Sequence, residues 1–552
     1  MKHRSRFVLG VMSFLSVLTS VFAGPRDDAW KQVNEAIEQR LPKTAIDRLG
    51  PILTASLNEK AYPEAIKALG LRIALEGEIQ GNRPEEKIVR LQGELETVPR
   101  EMKPVLQTIL AHWTWQYFQQ NRWRFLQRTQ TASAPGTDLQ SWDLAQILTE
   151  VDRRFTAALA DEELLKSTPI HSYEFLLEKG TVPDVYRPTL YDFIAYEALA
   201  FYQTGEQGAV KAEDTVVLEA DSPIFDDVAA FTAWTTPSGD EPSPTVKAIR
   251  LYQSLLQFHR SDRDRSAFYD ADLARLDFGR NSAVGEAKAE RQQSALKRFA
   301  ADTAGHEVSA RALATLARLL HEAGDSVAAH GFARRGRDAF PRSAGGAMCR
   351  AVIQEIEAKS ARVVTEGVWN APWPTLDVTY RNVSRVYFRA VPLDFEAYAQ
   401  RQRWSFGQVD PDLQRDALAA TPALAWSADL EPTSDFRERT QKTPAPRSLK
   451  LGYYVILSSH TANFGDTDNW VSASLVWVSD LALITHSNTG SEGDGGFVLN
   501  ANTGAPVSGA RIRTWASDRD GRLLPSKSTR TDERGAFALP GDGRRVLLLA
   551  EH

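Results

Sequence analysis

The stretch TLDVTYRNVSRVYFRAV, residues 375–391, decides the fold of the second half of the chain. Apolar side chains stand at every second position from Leu376 to Tyr380 and again from Val386 to Ala390. Alternation of this kind is typical of β-strands with one face in a core and the other in solvent. The turn residues between the two runs separate them into two strands. We therefore expect an antiparallel β-structure here.

Further strands are predicted on the C-terminal side of this stretch. The runs LGYYVILSS at 451–459 and SASLVWVSDLALIT at 472–485 are rich in β-branched and aromatic residues. Between them and the opening stretch lies an insert of mixed, partly helical pattern at 395–430. Together these segments predict one antiparallel β-sandwich over 361–485.

A second β unit is predicted over 486–552. Phe497, Val498 and Leu499 form a short apolar strand, and the TGAP tetrapeptide at 503–506 forms a turn. The segments ARIRTW, TDERGAFALP and RRVLLLA supply more strands. Because the last segment ends within an apolar strand, which would leave an unpaired edge, we expect this unit to be truncated.

Before residue 361 the apolar period is helical. Over 24–360, apolar residues recur three and four positions apart, with Gly and Pro between the runs. The clearest unit is HEVSARALATLARLLHEAGDSVAAHGFARRGRDAFP at 306–341, where two helices flank Gly324 and Asp325 and a proline closes the second helix. Small residues fall where paired helices approach closely: Ala317, Ala329 and Gly336. This pattern resembles a tetratricopeptide repeat, and we expect a helical-repeat region.

The aromatic run HWTWQYFQQNRWRF at 112–125 allows two interpretations. It could form a platform that stacks on a ligand. Bulky rings also pin helices together, and this second interpretation is favoured because it needs no ligand.

The first residues indicate export. A basic start is followed by an apolar run at 7–22, and small residues precede Gly24. This is the pattern of a secretory signal peptide over 1–23, cleaved after Ala23; a retained membrane anchor is the alternative. The signal peptide predicts a secreted or periplasmic protein. Cys349 is the sole cysteine, so no intrachain disulfide can form, which fits a bacterial periplasm better than a small secreted domain held by disulfides. The net charge of −6 provides no basic field for nucleic acid.

The sequence predicts no catalytic, cofactor-binding or metal-binding residues. Ser294 and Lys297 have the SxxK spacing of serine acyl-transferases, but the later partner motifs are missing. His321 and His330 are too far apart to share one helix turn as zinc ligands. The runs GDTDN and SDRDG lack a full set of calcium ligands and are expected to be turns. Cys349 is expected to be a buried structural thiol.

The run ARVVTEGVWNAPWPTLDVTYRNVSRVYFRAVPLD at 361–394 resembles the first macroglobulin-like domain of bacterial alpha-2-macroglobulin-family proteins. The segments GYYVILSS, VSDLALI, FVLNANTGAPVSGARI and TDERGAF are similar to the continuation of that family, including its MG2 region. The resemblance implies a macroglobulin-like sandwich at 361–485 and a second, carboxypeptidase-regulatory or prealbumin-like sandwich at 486–552. It also implies an extracytoplasmic protease trap with proteases as partners.

The departures from the family are as informative as the match. Cys349 is followed by Arg350, Ala351 and Val352, so the family's thioester run is absent, and no YRPGQ run or low-complexity bait segment is visible. We therefore expect an exported, non-enzymatic endopeptidase-inhibitor family member that lacks bait and thioester in this chain, as a truncated or split gene product would. The alternative is an exported helical-repeat scaffold that binds a peptide or a cell-envelope protein. An enzyme with an undetected site is the third possibility.

Overall fold

The chain is seen in a computed structural model. The structure describes residues 26–80, 84–126, 139–178, 180–204, 216–236, 243–401, 407–487, 494–518, 521–539 and 546–552. The predicted signal peptide, part of the SDRDG turn and the segment 129–137, whose Ser, Pro and Gly residues predict a loop, lie outside these residues. The chain divides into two compact units, Met1–Leu316 and Ala317–His552. Among the described residues, no helix has the length and apolar character needed to span a bilayer.

The first half of the chain is helical, as predicted. Its helices are α1 Asp27–Glu38, α2 Pro42–Asn58, α3 Tyr62–Ile79, α4 Pro84–Glu94, α5 Lys103–Gln120, α6 Arg122–Leu126, α7 Leu144–Leu159, α8 Glu162–Ser167, α9 Leu190–Tyr202, α10 Val228–Ala233, α11 Pro244–Phe258, α12 Ser266–Ser282, α13 Lys288–Asp302 and α14 Val308–Glu322. Proline occupies the first or second position of α2, α3, α5 and α11. There its missing N–H removes no helical hydrogen bond.

The aromatic run at 112–125 mostly packs inside the helical unit. Trp113, Tyr117, Phe118 and Phe125 are buried, whereas Trp123 is exposed. Phe118 and Phe125 approach with ring centroids 5.8 Å apart. The favoured interpretation, rings that pin helices together, accounts for these four residues.

Two more helices precede the strands, α15 Ser326–Ala339 and α16 Ala344–Glu357. The turn before α15 lies where the sequence predicts it. Gly324 has φ of 87°, and the Asp325 side chain accepts a hydrogen bond from the Ala328 N–H. A left-handed backbone at this point needs glycine. Further on, a Cβ added to Gly346 would lie 2.0 Å from the Phe340 carbonyl oxygen, so only glycine fits at the start of α16.

The first β unit is a sandwich of two sheets. Its strands are β1 Ser360–Val364, β2 Val368–Trp369, β3 Thr375–Arg381, β4 Arg385–Pro392, β5 Leu424–Asp429, β6 Arg439–Pro444, β7 Gly452–Ser459 and β8 Ser472–Val478. One sheet has the order β1-β3-β6, and the other has β2-β8-β7-β4-β5. Only the β2–β8 pairing is parallel. The alternating apolar residues of β3 and β4 form the shared core, as predicted.

The strands β3 and β4 lie in different sheets, so the opening stretch crosses the sandwich instead of forming a hairpin. Asn382 lies at this corner with φ of 56°, a left-handed conformation that Asn tolerates better than most residues. Its side-chain amide donates hydrogen bonds to the carbonyls of Ile356, at 2.7 Å, and Ala358, at 3.1 Å. These acceptors are the end of α16, so the corner caps that helix.

Two short helices of the insert cover the outer face of the larger sheet. They are α17 Phe395–Arg401 and α18 Pro411–Ala419. Tyr398 and Leu413 pack on the β7 residues Tyr453, Val455 and Leu457. Consequently β7 is buried on both faces, which explains its continuous apolar sequence.

The second β unit consists of two three-stranded sheets. Its strands are β9 Leu481–Ser487, β10 Asp494–Asn500, β11 Arg511–Ser517, β12 Leu523–Arg530, β13 Ala536–Leu539 and β14 Val546–Glu551. Their orders are β13-β10-β9 and β12-β11-β14. The run at 472–485 was expected to be one strand; it is two, and β9 pairs with β10 of this unit. The predicted domain limits stay predictions.

The TGAP turn and the turn within TDERGAF meet in the structure. Gly504 and Gly535 both have left-handed backbones, with φ of 72° and 71°. The Val498 N–H donates to the Gly535 carbonyl, and the Val507 N–H donates to the Val498 carbonyl, both at 2.9 Å. A Cβ on Gly535 would lie 2.6 Å from the latter oxygen. Both glycines are therefore structural requirements of this sandwich.

An aromatic cluster links the two β units through α17. The ring of Phe395 lies 5.3 Å from Trp477 of β8 and 5.4 Å from Trp515 of β11, measured between centroids. Beside it, Arg513 pairs with Glu551 at 2.8 Å and with Glu396 of α17. The Phe395 and Trp515 rings meet edge-on, an arrangement that stabilises packing beyond the area it buries.

Candidate functional site

A cleft of about 480 Å³ opens in the helical unit between the start of α12 and the end of α13. This volume is within the range of about 300–1,000 Å³ seen for small-ligand sites. Its lining comes from the turn before α12, from the first turn of that helix, and from the segment after α13: Arg263, Asp264, Arg265, Tyr269, Asp302, Thr303, Gly305 and His306.

A buried histidine holds the turn that forms one wall of the cleft. His259 is 1% exposed; its Nε2 lies 2.7 Å from Asp192 Oδ1 of α9, and its Nδ1 lies 2.6 Å from Asp262 Oδ2. Since a carboxylate only accepts hydrogen bonds, both ring nitrogens must donate, which requires the imidazolium. We call His259, Asp192 and Asp262 the histidine clamp.

The electrostatics agree with this protonation state. Burial lowers the pKa of His259, but the hydrogen bond and charge of Asp192, together with those of Asp262, outweigh it, so the pKa lies above its ordinary value. Asp192 also belongs to α9's N-terminal cap, where its Oδ2 accepts from the N–H and hydroxyl of Thr189. The clamp therefore joins the start of α9 to the turn at the end of α11.

Two more side chains fix the rest of the turn. Arg265 donates to the carbonyls of His259 and Arg260, and its guanidinium lies 3.9 Å from the centroid of the Phe268 ring. The Asp264 carboxylate accepts a hydrogen bond from the Ser266 N–H at 2.9 Å. Bonds from the Ser266 side chain and backbone hold the pKa of Asp264 below its usual range. These groups are committed to the local fold.

Other charged and polar groups of the cleft are uncommitted. Arg263 and Asp302 are exposed. Neither of them, nor the hydroxyl of Tyr269, has a hydrogen-bond partner among the residues that the structure describes. The Tyr269 ring lies 5.2 Å from the His306 ring, and the two form an aromatic wall. Among the residues that the structure describes, the cleft thus offers a cation, a carboxylate and a hydroxyl without a partner.

The geometry of His306 does not suit proton abstraction from Ser266. Its Nδ1 accepts a hydrogen bond from the Val308 N–H at 3.2 Å, so the proton of the neutral ring is on Nε2. That nitrogen lies 3.1 Å from Ser266 Oγ and donates to it. A general base needs the reverse arrangement. The pair is suited to positioning and binding.

A second buried ionic network lies on the other side of α12. Asp270 is buried, and its carboxylate lies 2.6 Å from Arg311 Nη1 and 3.1 Å from the Tyr196 hydroxyl. Arg187 lies 3.7 Å from the same carboxylate and stacks on the Tyr196 ring. Burial, together with Asp270, raises the pKa of Tyr196. Every charge here has a partner, so the network acts as a structural link.

None of the residues weighed as alternatives in the sequence is among those that line the cleft. Ser294 and Lys297 are both exposed on α13. His112 pairs with Glu197 at 2.9 Å. Cys349 is buried in α16, and burial raises the pKa of its thiol to about 11, which keeps it protonated.

Internal hydrogen bonds hold the loop that contains GDTDN. The Asn469 amide donates to the Gly465 carbonyl at 2.6 Å, and His460 Nε2 lies 2.7 Å from the Asp468 carbonyl oxygen. In the described part of the chain, no group of three or more His, Cys, Asp or Glu side chains is arranged to hold a metal ion.

No pattern in the sequence singles out the residues of the cleft. Its turn lies in RSDRDRS, residues 260–266, a dense run of charges that resembles any solvated turn. The one available signal is a histidine directly before this run. One partner of that histidine, Asp262, lies within the run, but the other, Asp192, is 67 positions away, so the sequence alone does not reveal the clamp.

Two crystal structures of native alpha-2-macroglobulin from Escherichia coli are similar to part of the chain. The structure spanning domains NIE-MG1 is 21% identical, with 32% of this chain and 84% of that chain covered and a TM-score of 0.25. The structure spanning MG0-NIE-MG1 is 19% identical, with 35% of this chain and 64% of that chain covered and a TM-score of 0.27. No protein-family model matches the chain, and no curated protein does.

Proposed function

We propose that this chain is an exported, non-enzymatic relative of the alpha-2-macroglobulins that binds endopeptidases. The observation that carries the proposal is that the residues responsible for the sequence resemblance hold defined positions in the sandwiches. Tyr380 is buried with its hydroxyl on the Glu431 carbonyl, Asn382 forms the corner between the sheets, and Gly504 and Gly535 form the two turns that meet. A motif whose members each meet a structural need is a stronger signal than its letters alone.

In this proposal the chain binds its protease without covalent capture. Cys349 is the only cysteine, no thioester run follows it, and its thiol is buried and protonated. A thioester needs an activated thiol beside a glutamine, which this helix does not provide. Nor does this chain carry a recognisable bait segment, so we expect it to bind a protease without enclosing it.

A binding and cleavage assay tests the proposal. Active-site-blocked serine proteases and metalloproteases are passed over the immobilised mature chain, and the active enzymes are then assayed with a protein substrate and a small peptide substrate. We expect saturable binding of at least one class, and undiminished cleavage of both substrates. Absence of binding by every class refutes the proposal. Protection of the protein substrate alone would show that the chain encloses proteases after all.

Export is tested separately. The chain is expressed with its native N-terminus, and the exported form is sequenced from its first residue. The proposed cleavage after Ala23 requires the mature chain to begin at Gly24. A retained Met1 would instead support the membrane-anchor alternative.

A further inference from the structure

We propose that the cleft between α12 and α13 binds short peptide segments that carry an acidic and a basic side chain close together. In this arrangement the ligand's carboxylate pairs with Arg263 and its cation pairs with Asp302. The inference concerns the helical unit and does not depend on protease binding, so either proposal can fail without the other.

Arg263 is available to bind a ligand. The turn around it is held at both ends, by the histidine clamp and by the hydrogen bonds of Arg265 to backbone carbonyls. Arg263 lies between these fixed points, exposed and without a partner in the described chain. A guanidinium on a rigid turn loses little conformational entropy of the backbone when it binds a carboxylate.

Asp302 provides the opposite charge in the cleft. Asp302 is the last residue of α13, Lys288–Asp302, and its carboxylate is exposed and has no ion-pair partner among the described residues. The carbonyl end of a helix carries partial negative charge, which adds to the carboxylate in attracting a cation. This wall therefore favours an ammonium or guanidinium group.

The cleft should select ligands that carry both charges. Of the four charged side chains that line the cleft, Asp264 is occupied by Ser266 and Arg265 by backbone carbonyls. Within the described part of the chain, Arg263 and Asp302 are the charged lining groups without a partner. A simple anion would meet the free carboxylate, and a simple cation would meet the free guanidinium, so each would be partly repelled. A ligand with separated opposite charges satisfies both.

Aromatic rings also line the cleft. The Tyr269 and His306 rings, 5.2 Å apart, present an aromatic surface for the ligand's backbone and aliphatic stems, and the Tyr269 hydroxyl can donate to a peptide carbonyl. A cleft of about 480 Å³ accommodates a few residues of an extended peptide.

The test uses capped tripeptides, so that only side chains carry charge. Acetyl-Asp-Ala-Lys-amide is titrated into the mature chain by isothermal calorimetry, beside the all-Ala, Asp-only and Lys-only peptides. We expect the doubly charged peptide to bind roughly tenfold more tightly than the all-Ala peptide, and the singly charged peptides to fall between them, with weaker binding at high salt.

Matched variants separate the site from general charge effects. Arg263→Gln and Asp302→Asn should each reduce the preference for the doubly charged peptide by roughly threefold to fivefold. The controls Arg260→Gln on the same turn and Glu290→Gln on α13 should leave it unchanged, since both residues are exposed outside the cleft lining. Equal binding of all four peptides, no binding of any, or equal losses in control and site variants would each overturn the proposal.

Discussion

The histidine clamp should make the stability of the helical unit depend on pH in a defined direction. In an unfolded chain His259 titrates near its usual pKa of about 6.5, whereas in the fold its pKa is raised by Asp192 and Asp262. Below about pH 6.5 the clamp contributes its full stability. As the pH rises through the folded pKa, the ring loses a proton and one nitrogen then faces a carboxylate without a hydrogen. Stability is therefore lost toward alkaline pH.

The size of the effect follows from what His259→Ala removes. The substitution deletes two charge-assisted hydrogen bonds, each contributing about 1.5–3 kcal/mol, and leaves the buried Asp192 carboxylate with only its Thr189 partners. Breaking a buried ion pair by removing one member costs about 3–5 kcal/mol. We expect a loss of this order near pH 6 and a smaller loss near pH 9. The exposed His171 provides the control, since His171→Ala should change little.

Native-state hydrogen exchange is the appropriate assay, because a chain with two compact units need not unfold in one step. Protection of amides in α9 and around His259 is measured from about pH 6 to about pH 9 in the wild type and both variants, after correction for intrinsic exchange rates. The difference between wild type and His259→Ala should shrink as the pH rises. A difference that stays constant over this window would show that the ring is not an imidazolium in the fold.

Four further substitutions probe other parts of the chain. Gly346→Ala forces a Cβ against a carbonyl oxygen and should cost about 1–3 kcal/mol in thermal unfolding. At Gly331 on α15 an added Cβ would meet no atom within 4 Å, so Gly331→Ala should leave the protein's stability unchanged or raise it by up to about 1 kcal/mol. Asp270→Ala leaves the guanidinium of Arg311 without its carboxylate and should cost about 3–5 kcal/mol in urea unfolding; a loss below about 1 kcal/mol would contradict the buried-pair reasoning. Phe395→Ala should cost about 3 kcal/mol and speed proteolysis between the β units, and unchanged proteolysis would show that the aromatic cluster does not couple them.

Local patterns were enough to predict the element types. The turn at Gly324 and Asp325 was predictable because a left-handed glycine followed by a capping Asp is a signal contained in adjacent residues. The alternation in β3 and β4 was predictable because it reports which side chains enter a core. The predicted change from helical to β structure is confirmed, and it was predictable because the spacing of the apolar residues changes there.

Long-range arrangement was not predictable from those patterns. Both sheets of a sandwich contribute to one core, so alternation cannot tell a hairpin from a strand that crosses to the other sheet, as β3 and β4 do. The cleft is harder still, because Arg263 and His306 come together only through the packing of α12 and α13. An exposed Arg in a charged turn acquires meaning only when its neighbours in space are known.

Asn382 has a consequence for where the chain can be cut. The amide that shapes the corner of the sandwich also holds the last carbonyls of α16, so one side chain belongs to both the helix and the strands. A fragment starting at Ala361, where the sequence period changes, would leave that amide without its two acceptors and would open the corner to solvent. The protein therefore cannot be divided at the boundary that is visible in the sequence. A smaller folding unit must keep α16, Ala344–Glu357, attached to the strands that follow it.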